Sequence, residues 1–183
     1  MLTHVVFMED HEESKRLAQA FGTDLLLSER AGDAAPDAWR NRGFDGKFRV
    51  AAARAGIPAI TPELAYNKQI VEDAVETGVE GCLNVLRELD VLSGTPDPAD
   101  QTLARNHLGS VDATASGLFR PAPARDVGER VSEGTTLGRV YDPTTYEPLQ
   151  EVRATRSGVL YALTKEATVK AGDRLASVAI VRE

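Results

Sequence analysis

Strand-like and helix-like segments alternate over the first half of this 183-residue chain. The strand-like segments are short, apolar and rich in branched residues, and they lie at 3–9, 24–28 and 57–63. The helix-like segments repeat their apolar residues at helical spacing, and they lie at 11–22, 44–55 and 68–92. Alternating strands and helices are typical of an α/β layered domain, so we predict this fold class for residues 1–92.

The segment 68–92 carries the strongest helical pattern in the chain. Its apolar residues fall three or four positions apart, which places them on one face of a helix. These residues are Val71, Val75, Val79, Cys82, Leu86 and Leu89. Acidic residues such as Glu76 and Glu80 lie off this stripe. The pattern predicts that the stripe packs into the core and that Cys82 is a core residue.

The character of the chain changes after residue 92. The stretch 93–101, SGTPDPADQ, contains two prolines and predicts a domain boundary inside a linker at 93–107. Beyond the linker, an internal repeat relates VSEGTTLGRV at 131–140 to VKAGDRLASV at 169–178. Two copies of a strand–turn–strand unit predict a small all-β barrel or sandwich at 108–183.

Composition and charge exclude several classes of function. The net charge of −7 argues against nucleic-acid and anionic-membrane partners, because both require clustered Lys and Arg. No apolar run approaches the roughly 20 residues that cross a bilayer, and the N-terminus has no signal-peptide pattern. The single cysteine excludes an internal disulfide. Together these features predict a cytoplasmic protein.

Three stretches, taken in order, resemble the succinylglutamate desuccinylase/aspartoacylase family. They are GIPAITPE at 56–63, VETGVEGCLNVLRELDVL at 75–92 and VGERVSEGTTLGRVYD at 127–142. The resemblance implies a carboxypeptidase-like α/β domain followed by a small β domain, and a zinc hydrolase that cleaves the amide bond of a small N-acyl amino acid. The internal repeat of the β domain also resembles biotinyl and lipoyl carrier domains. Because 141–154 contains no lysine to modify, we do not expect carrier function.

The resemblance implies a role for three residues. It places the general base, which takes a proton from the attacking water, at Glu63. It places an arginine that meets the substrate carboxylate at Arg49, with Arg54 as the competing position. Tyr66 stands where the family usually has small residues, and we expect it to line or narrow the substrate pocket. Without the family pattern, Glu63 would be a solvated residue after a strand and Arg49 a surface residue of a helix.

The zinc ligands that the resemblance implies are not found in this sequence. The family supplies them from a His-x-x-Glu motif and a later histidine, whereas the histidines here are His4, His11 and His107, none of them in that motif. We therefore expect this chain to be the C-terminal part of such an enzyme, with zinc ligands in a missing N-terminal segment. The expected partner is that N-terminal half or a second copy of the chain. The alternative is a non-catalytic remnant that acts as a binding or assembly module.

Overall fold

The computed structural model describes residues 1–30, 46–65, 69–98 and 100–182. The chain divides into two compact units, one formed by Thr3–Asn106 with Arg182–Glu183 and the other by Met1–Leu2 with His107–Val181. No helix in the described part of the chain is both long enough and apolar enough to cross a membrane.

The Thr3–Asn106 unit is a sheet with helices packed on it. Its strands are β1 (His4–Met8), β2 (Leu25–Glu29), β3 (Ile60–Glu63) and the first half of β4 (Thr102–Asp112). Its described helices are α1 (Glu12–Phe21), α2 (Phe48–Arg54) and α3 (Glu72–Glu88). Strand β1 pairs with β2 in parallel and with β3 in antiparallel orientation, and β4 is parallel to β2. The predicted α/β class is confirmed.

One face of this sheet packs against helices α1 and α3. Val5 and Phe7 of β1 pack against Ala18 and Phe21 of α1, and Val85 of α3 packs against the same cluster. Side chains alternate between the two faces of a strand, so Val6, between Val5 and Phe7, points to the other face. Helices α1 and α3 cover this first side of the sheet, whereas the second side bears Glu63 together with buried apolar residues such as Val6 and Leu27.

Helix α3 turns a different face to the core from the one that its sequence pattern predicts. Its buried residues are Ala74, Gly81 and Asn84. The predicted stripe is largely exposed, including Val75, Val79, Cys82, Leu86 and Leu89. The prediction that Cys82 is a core residue is wrong. Apolar spacing shows which residues share a face of a helix, but it does not show whether another element covers that face.

Gly81 allows α3 to approach α1 closely, and this contact predicts the effect of a substitution. A Cβ at position 81 would overlap the ring of Phe21, which is buried in the core. We expect Gly81→Ala to lower the free energy of unfolding, because overpacking costs about 1–3 kcal/mol and outweighs the gain of about 1 kcal/mol in helix propensity. Urea unfolding followed by circular dichroism measures the difference.

Gly78 in the same helix is the matched control. A Cβ there would lie 2.9 Å from Cδ1 of Leu64, the tip of a flexible side chain that can move aside. Gly78→Ala should therefore leave the protein as stable or stabilise it by up to about 1 kcal/mol. Equal effects of the two substitutions would contradict the close contact between Gly81 and Phe21.

The His107–Val181 unit is built from strands alone. The strand bounds are β5 (Gly117–Pro121), β6 (Arg130–Val131), β7 (Thr136–Tyr141), β8 (Pro148–Arg153), β9 (Gly158–Leu163), β10 (Thr168–Val169) and β11 (Arg174–Val181). One sheet has the order β10-β5-β7-β8, and the other set has the second half of β4 followed by β11, β9 and β6. No closed barrel is seen among these strands.

The two copies of the sequence repeat have similar backbone and burial. Gly134 and Gly172 both have positive φ, at 83° and 94°, which glycine adopts without strain. The apolar residues that the repeat pairs with one another are all buried: Val131 with Val169, Leu137 with Leu175, and Val140 with Val178. A likeness to carrier domains remains a prediction.

The predicted linker at 93–107 differs from the structure in its second half. From Thr102 the chain forms β4, whose first residues pair with β2 from Leu25 onward. The compact units divide between Asn106 and His107, inside this strand. The prolines of 93–101 mark a real break after α3, but the strand that follows begins earlier than the turn-rich composition indicates.

Candidate active site

Glu63 ends strand β3, directly opposite the first residue of β1. The register pairs His4 with Glu63 and Val6 with Thr61, so these side chains share one face of the sheet. The Thr3 hydroxyl donates a hydrogen bond of 3.2 Å to the Leu64 carbonyl, which fixes the chain just after Glu63. His4 is buried and Glu63 is exposed. The structure thus holds the Glu63 backbone firmly and leaves its carboxylate accessible.

Arg49, the expected substrate anchor, is engaged inside the protein. Its guanidinium Nη2 donates to Oε2 of Glu29, and both side chains are almost fully buried, at 8% and 1% exposure. The other oxygen of Glu29 accepts a hydrogen bond of 2.7 Å from Nδ2 of Asn106. Helix α2 is therefore attached to the end of β2 through a buried ion pair, while Arg54 on the same helix is exposed.

Glu63 and the Arg49–Glu29 pair lie on the same face of the sheet but at opposite ends of β1. Strand β1 pairs His4 with Glu63 at its start and Met8 with Glu29 at its end. Four residues of strand separate these rows by about 13 Å. The structure does not bring Arg49 and Glu63 together, and contact with a substrate near Glu63 would require Arg49 to leave Glu29.

Lys47 is the more accessible cation on this face. Its Nζ lies 3.7 Å from Oε1 of Glu29, and its side chain is 35% exposed. Burial lowers the pKa of Lys47 below its usual value, while the carboxylates of Glu29 and, more weakly, Glu63 oppose that lowering. Lys47 is therefore a partly exposed cation next to Glu29 at the start of α2.

A second buried carboxylate, that of Glu9, forms ion pairs with three arginines of the described residues. Its Oε1 lies 3.2 Å from Arg30, 3.4 Å from Arg105 and 3.1 Å from Arg182. Its Oε2 accepts a hydrogen bond of 3.5 Å from Ser28. Glu9 lies two residues after Phe7, so its side chain leaves the backbone on the same face as that of Phe7. This face is opposite to the one that bears Glu63. This group links the ends of β1 and β2 to Arg105 within β4 and to Arg182.

Sequence reasoning missed Glu9, Glu29 and Lys47. The available signal was that β1 and β2 each lead from an apolar run into a glutamate, in VVFME and LLLSE. A glutamate in that place is equally expected as the first solvated residue after a strand, and its arginine partners are distant in sequence. Tyr66, which was expected to line the pocket, lies outside the described residues.

The described residues do not offer a metal site. Across 1–30, 46–65, 69–98 and 100–182, no three side chains of His, Cys, Asp or Glu form a group that could hold a metal ion. Catalytic zinc in proteins generally has three protein ligands and one open position. The donor set described here therefore does not fit such a centre.

Comparison of the sequence with characterised proteins finds a deacetylase. The chain is 32% identical over 186 aligned positions to the N-alpha-acetyl-L-2,4-diaminobutyric acid deacetylase of Halomonas elongata. The alignment covers 96% of this chain and 50% of the relative, so the chain spans about half the length of the protein that it matches. No protein-family model matches the chain.

Comparison with solved structures finds the same fold. The succinylglutamate desuccinylase/aspartoacylase from Rhodobacter sphaeroides matches with a TM-score of 0.79 and 23% identity, over 99% of this chain and 54% of its own. The product-bound ectoine utilization protein EutE (DoeB) from Ruegeria pomeroyi matches with a TM-score of 0.80 and 22% identity, over 98% and 53%. At these identities the likeness is one of fold.

Proposed function

Because the chain belongs to the succinylglutamate desuccinylase/aspartoacylase family, we propose that it forms part of a hydrolase that cleaves the amide bond of a small N-acyl amino acid. The observation that carries the proposal is the alignment of almost the whole chain with a characterised deacetylase. That relative acts on an N-acetylated diamino acid, which belongs to the proposed class of substrate. The alternative, a non-catalytic binding module, has no comparable support.

In this proposal Glu63 is the general base. Its carboxylate takes a proton from water as the water oxygen bonds to the amide carbon, and it returns a proton to the nitrogen as the C–N bond breaks. An accessible carboxylate on a fixed strand end suits this role, because water and substrate can both reach it. The register with β1 and the bond from Thr3 keep it in place without covering it.

The substrate carboxylate requires a cationic contact. Both cations pair with Glu29, and Lys47 supports this role better than Arg49 does because its side chain is 35% exposed whereas that of Arg49 is 8% exposed. We propose that Arg49 positions Glu29 and the start of α2, and that the partly exposed Lys47 contacts the substrate carboxylate while it remains next to Glu29. Tyr66, three residues beyond Glu63, is the proposed residue that shapes the pocket.

The ligands of the proposed zinc ion would lie outside the described residues. The family resemblance implies a zinc ion, and the donor groups described here do not fit one. We therefore propose that its ligands belong to polypeptide corresponding to the half of the relatives that this chain does not match.

A fusion protein tests the proposed function. It joins the unmatched half of the Halomonas elongata deacetylase ahead of residue 1, and amine release is measured from Nα-acetyl-L-2,4-diaminobutyrate, N-acetylaspartate and N-succinylglutamate. We expect the fusion to hydrolyse at least one of these compounds. A folded fusion that hydrolyses none of them would overturn the hydrolase proposal and favour the binding module.

A further inference from the structure

Helix α3 borders an open apolar groove that the described residues leave uncovered. The groove has a volume of about 660 Å³ and is lined mainly by Phe21, Leu64, Ile70, Val75, Val79 and Cys82. Ile70 is 87% exposed and Val79 is 54% exposed. Single exposed apolar residues are ordinary, but a contiguous apolar surface marks an interaction site.

The groove adjoins a sheet edge. Strand β3 pairs with β1 on one side, and no described strand pairs with its other side. Pro62 of β3 and Leu64 just after it line the groove, while Glu63 between them points to the opposite face. A polypeptide that added to this edge would cover the groove on one face and lie beside Glu63 on the other.

We propose that this surface, comprising the groove along α3 and the free edge of β3, receives the polypeptide corresponding to the unmatched half of the family. The relatives share the fold of nearly this entire chain and are about twice as long, so their other half is a polypeptide of matching length that could occupy this surface. The inference extends the proposed function, and rests on it, because the same docking would complete the pocket around Glu63.

Cys82 provides a built-in reporter for this surface. It is the single cysteine of the chain, it is exposed, and it lines the groove. We expect maleimide to modify Cys82 quickly in the isolated chain, and about tenfold or more slowly in the fusion, whose other cysteines are replaced by serine, because labelling would then require local opening. Comparable rates in the two proteins would overturn the proposal.

Two variants distinguish specific docking on this surface from nonspecific association of exposed apolar residues. In the fusion, Val79→Glu should restore most of the labelling rate of Cys82, because a charge would be buried at the interface. Leu149→Glu is the matched control, since Leu149 is apolar and similarly exposed, at 45%, but lies in the other unit. It should leave labelling slow, and an equal effect of both variants would contradict the assignment.

Two further outcomes would also count against it. Slow labelling in the isolated chain as a monomer would show that residues of this chain already cover the groove. Slow labelling in a dimer, detected by light scattering, would assign the surface to a second copy. The readout does not depend on hydrolysis, so a protected but inactive fusion would refute the proposed function and leave the docking surface standing.

Discussion

Arg49→Ala is expected to destabilise the protein by about 3–5 kcal/mol, the usual consequence of removing one partner of a buried ion pair. Glu29 would remain fully buried, with Asn106 as a neutral donor and, among the described residues, Lys47 at 3.7 Å as a cationic neighbour. Lys47 is partly exposed, so its charge is better screened and compensates less. The loss should appear as a lower urea midpoint for unfolding of the Thr3–Asn106 unit.

Two variants show whether this loss comes from the ion pair. Arg54→Ala changes an exposed arginine of the same helix and should cost no more than about 1 kcal/mol. The double variant Glu29→Leu with Arg49→Met replaces the pair by apolar groups and should recover part of the loss, because the buried Asn106 amide also loses its bond to Glu29. A cost below about 1 kcal/mol for Arg49→Ala would contradict a buried pair at this position.

Glu63→Gln is expected to lower kcat of the fusion protein by about 10²–10⁴-fold, the usual contribution of a general base. Glutamine has nearly the same shape but cannot accept the proton from water, whereas KM should change little because binding does not depend on that transfer. Glu63 is exposed at the end of β3, so the substitution should leave the melting temperature nearly unchanged. Steady-state kinetics and thermal unfolding together distinguish lost chemistry from lost fold.

Glu166→Gln is the control for this substitution. Glu166 is exposed and belongs to the all-β unit, so its replacement should change neither kcat nor stability. If Glu63→Gln kept full activity, Glu63 would not be the base. If both variants lost activity equally, the effect would be one of net charge.

The α/β layer could be predicted from sequence because it depends on local pattern. β1, α1 and β2 lie within a residue or two of their predicted bounds, since branched apolar runs and helical spacing act over a few residues. Helix α3 was also predicted correctly as an element, but the burial of its apolar stripe was not. Whether Val79 or Cys82 is covered depends on a surface elsewhere, which periodicity cannot reveal.

The ion pairs show why the site could be predicted only in part. The contiguous family pattern GIPAITPE predicts Glu63 as the base, and the structure places this residue at a strand end; its role stays a prediction. The pair between Arg49 and Glu29 joins residues 20 positions apart, and Asn106 joins Glu29 across 77 positions. Such partners are set by the order of strands in the sheet, which no local spacing encodes.

A titration tests most directly whether an active centre is shared between this chain and polypeptide outside it. The unmatched half of the Halomonas elongata deacetylase is added in steps to a fixed amount of the isolated chain, and the initial rate of amine release from Nα-acetyl-L-2,4-diaminobutyrate is recorded. We predict no hydrolysis by either component alone and a rate that levels off at one equivalent. Two results would contradict a shared active centre. One is hydrolysis by the isolated chain at the rate of the mixture, and the other is a rate for the mixture no higher than that of its separate components.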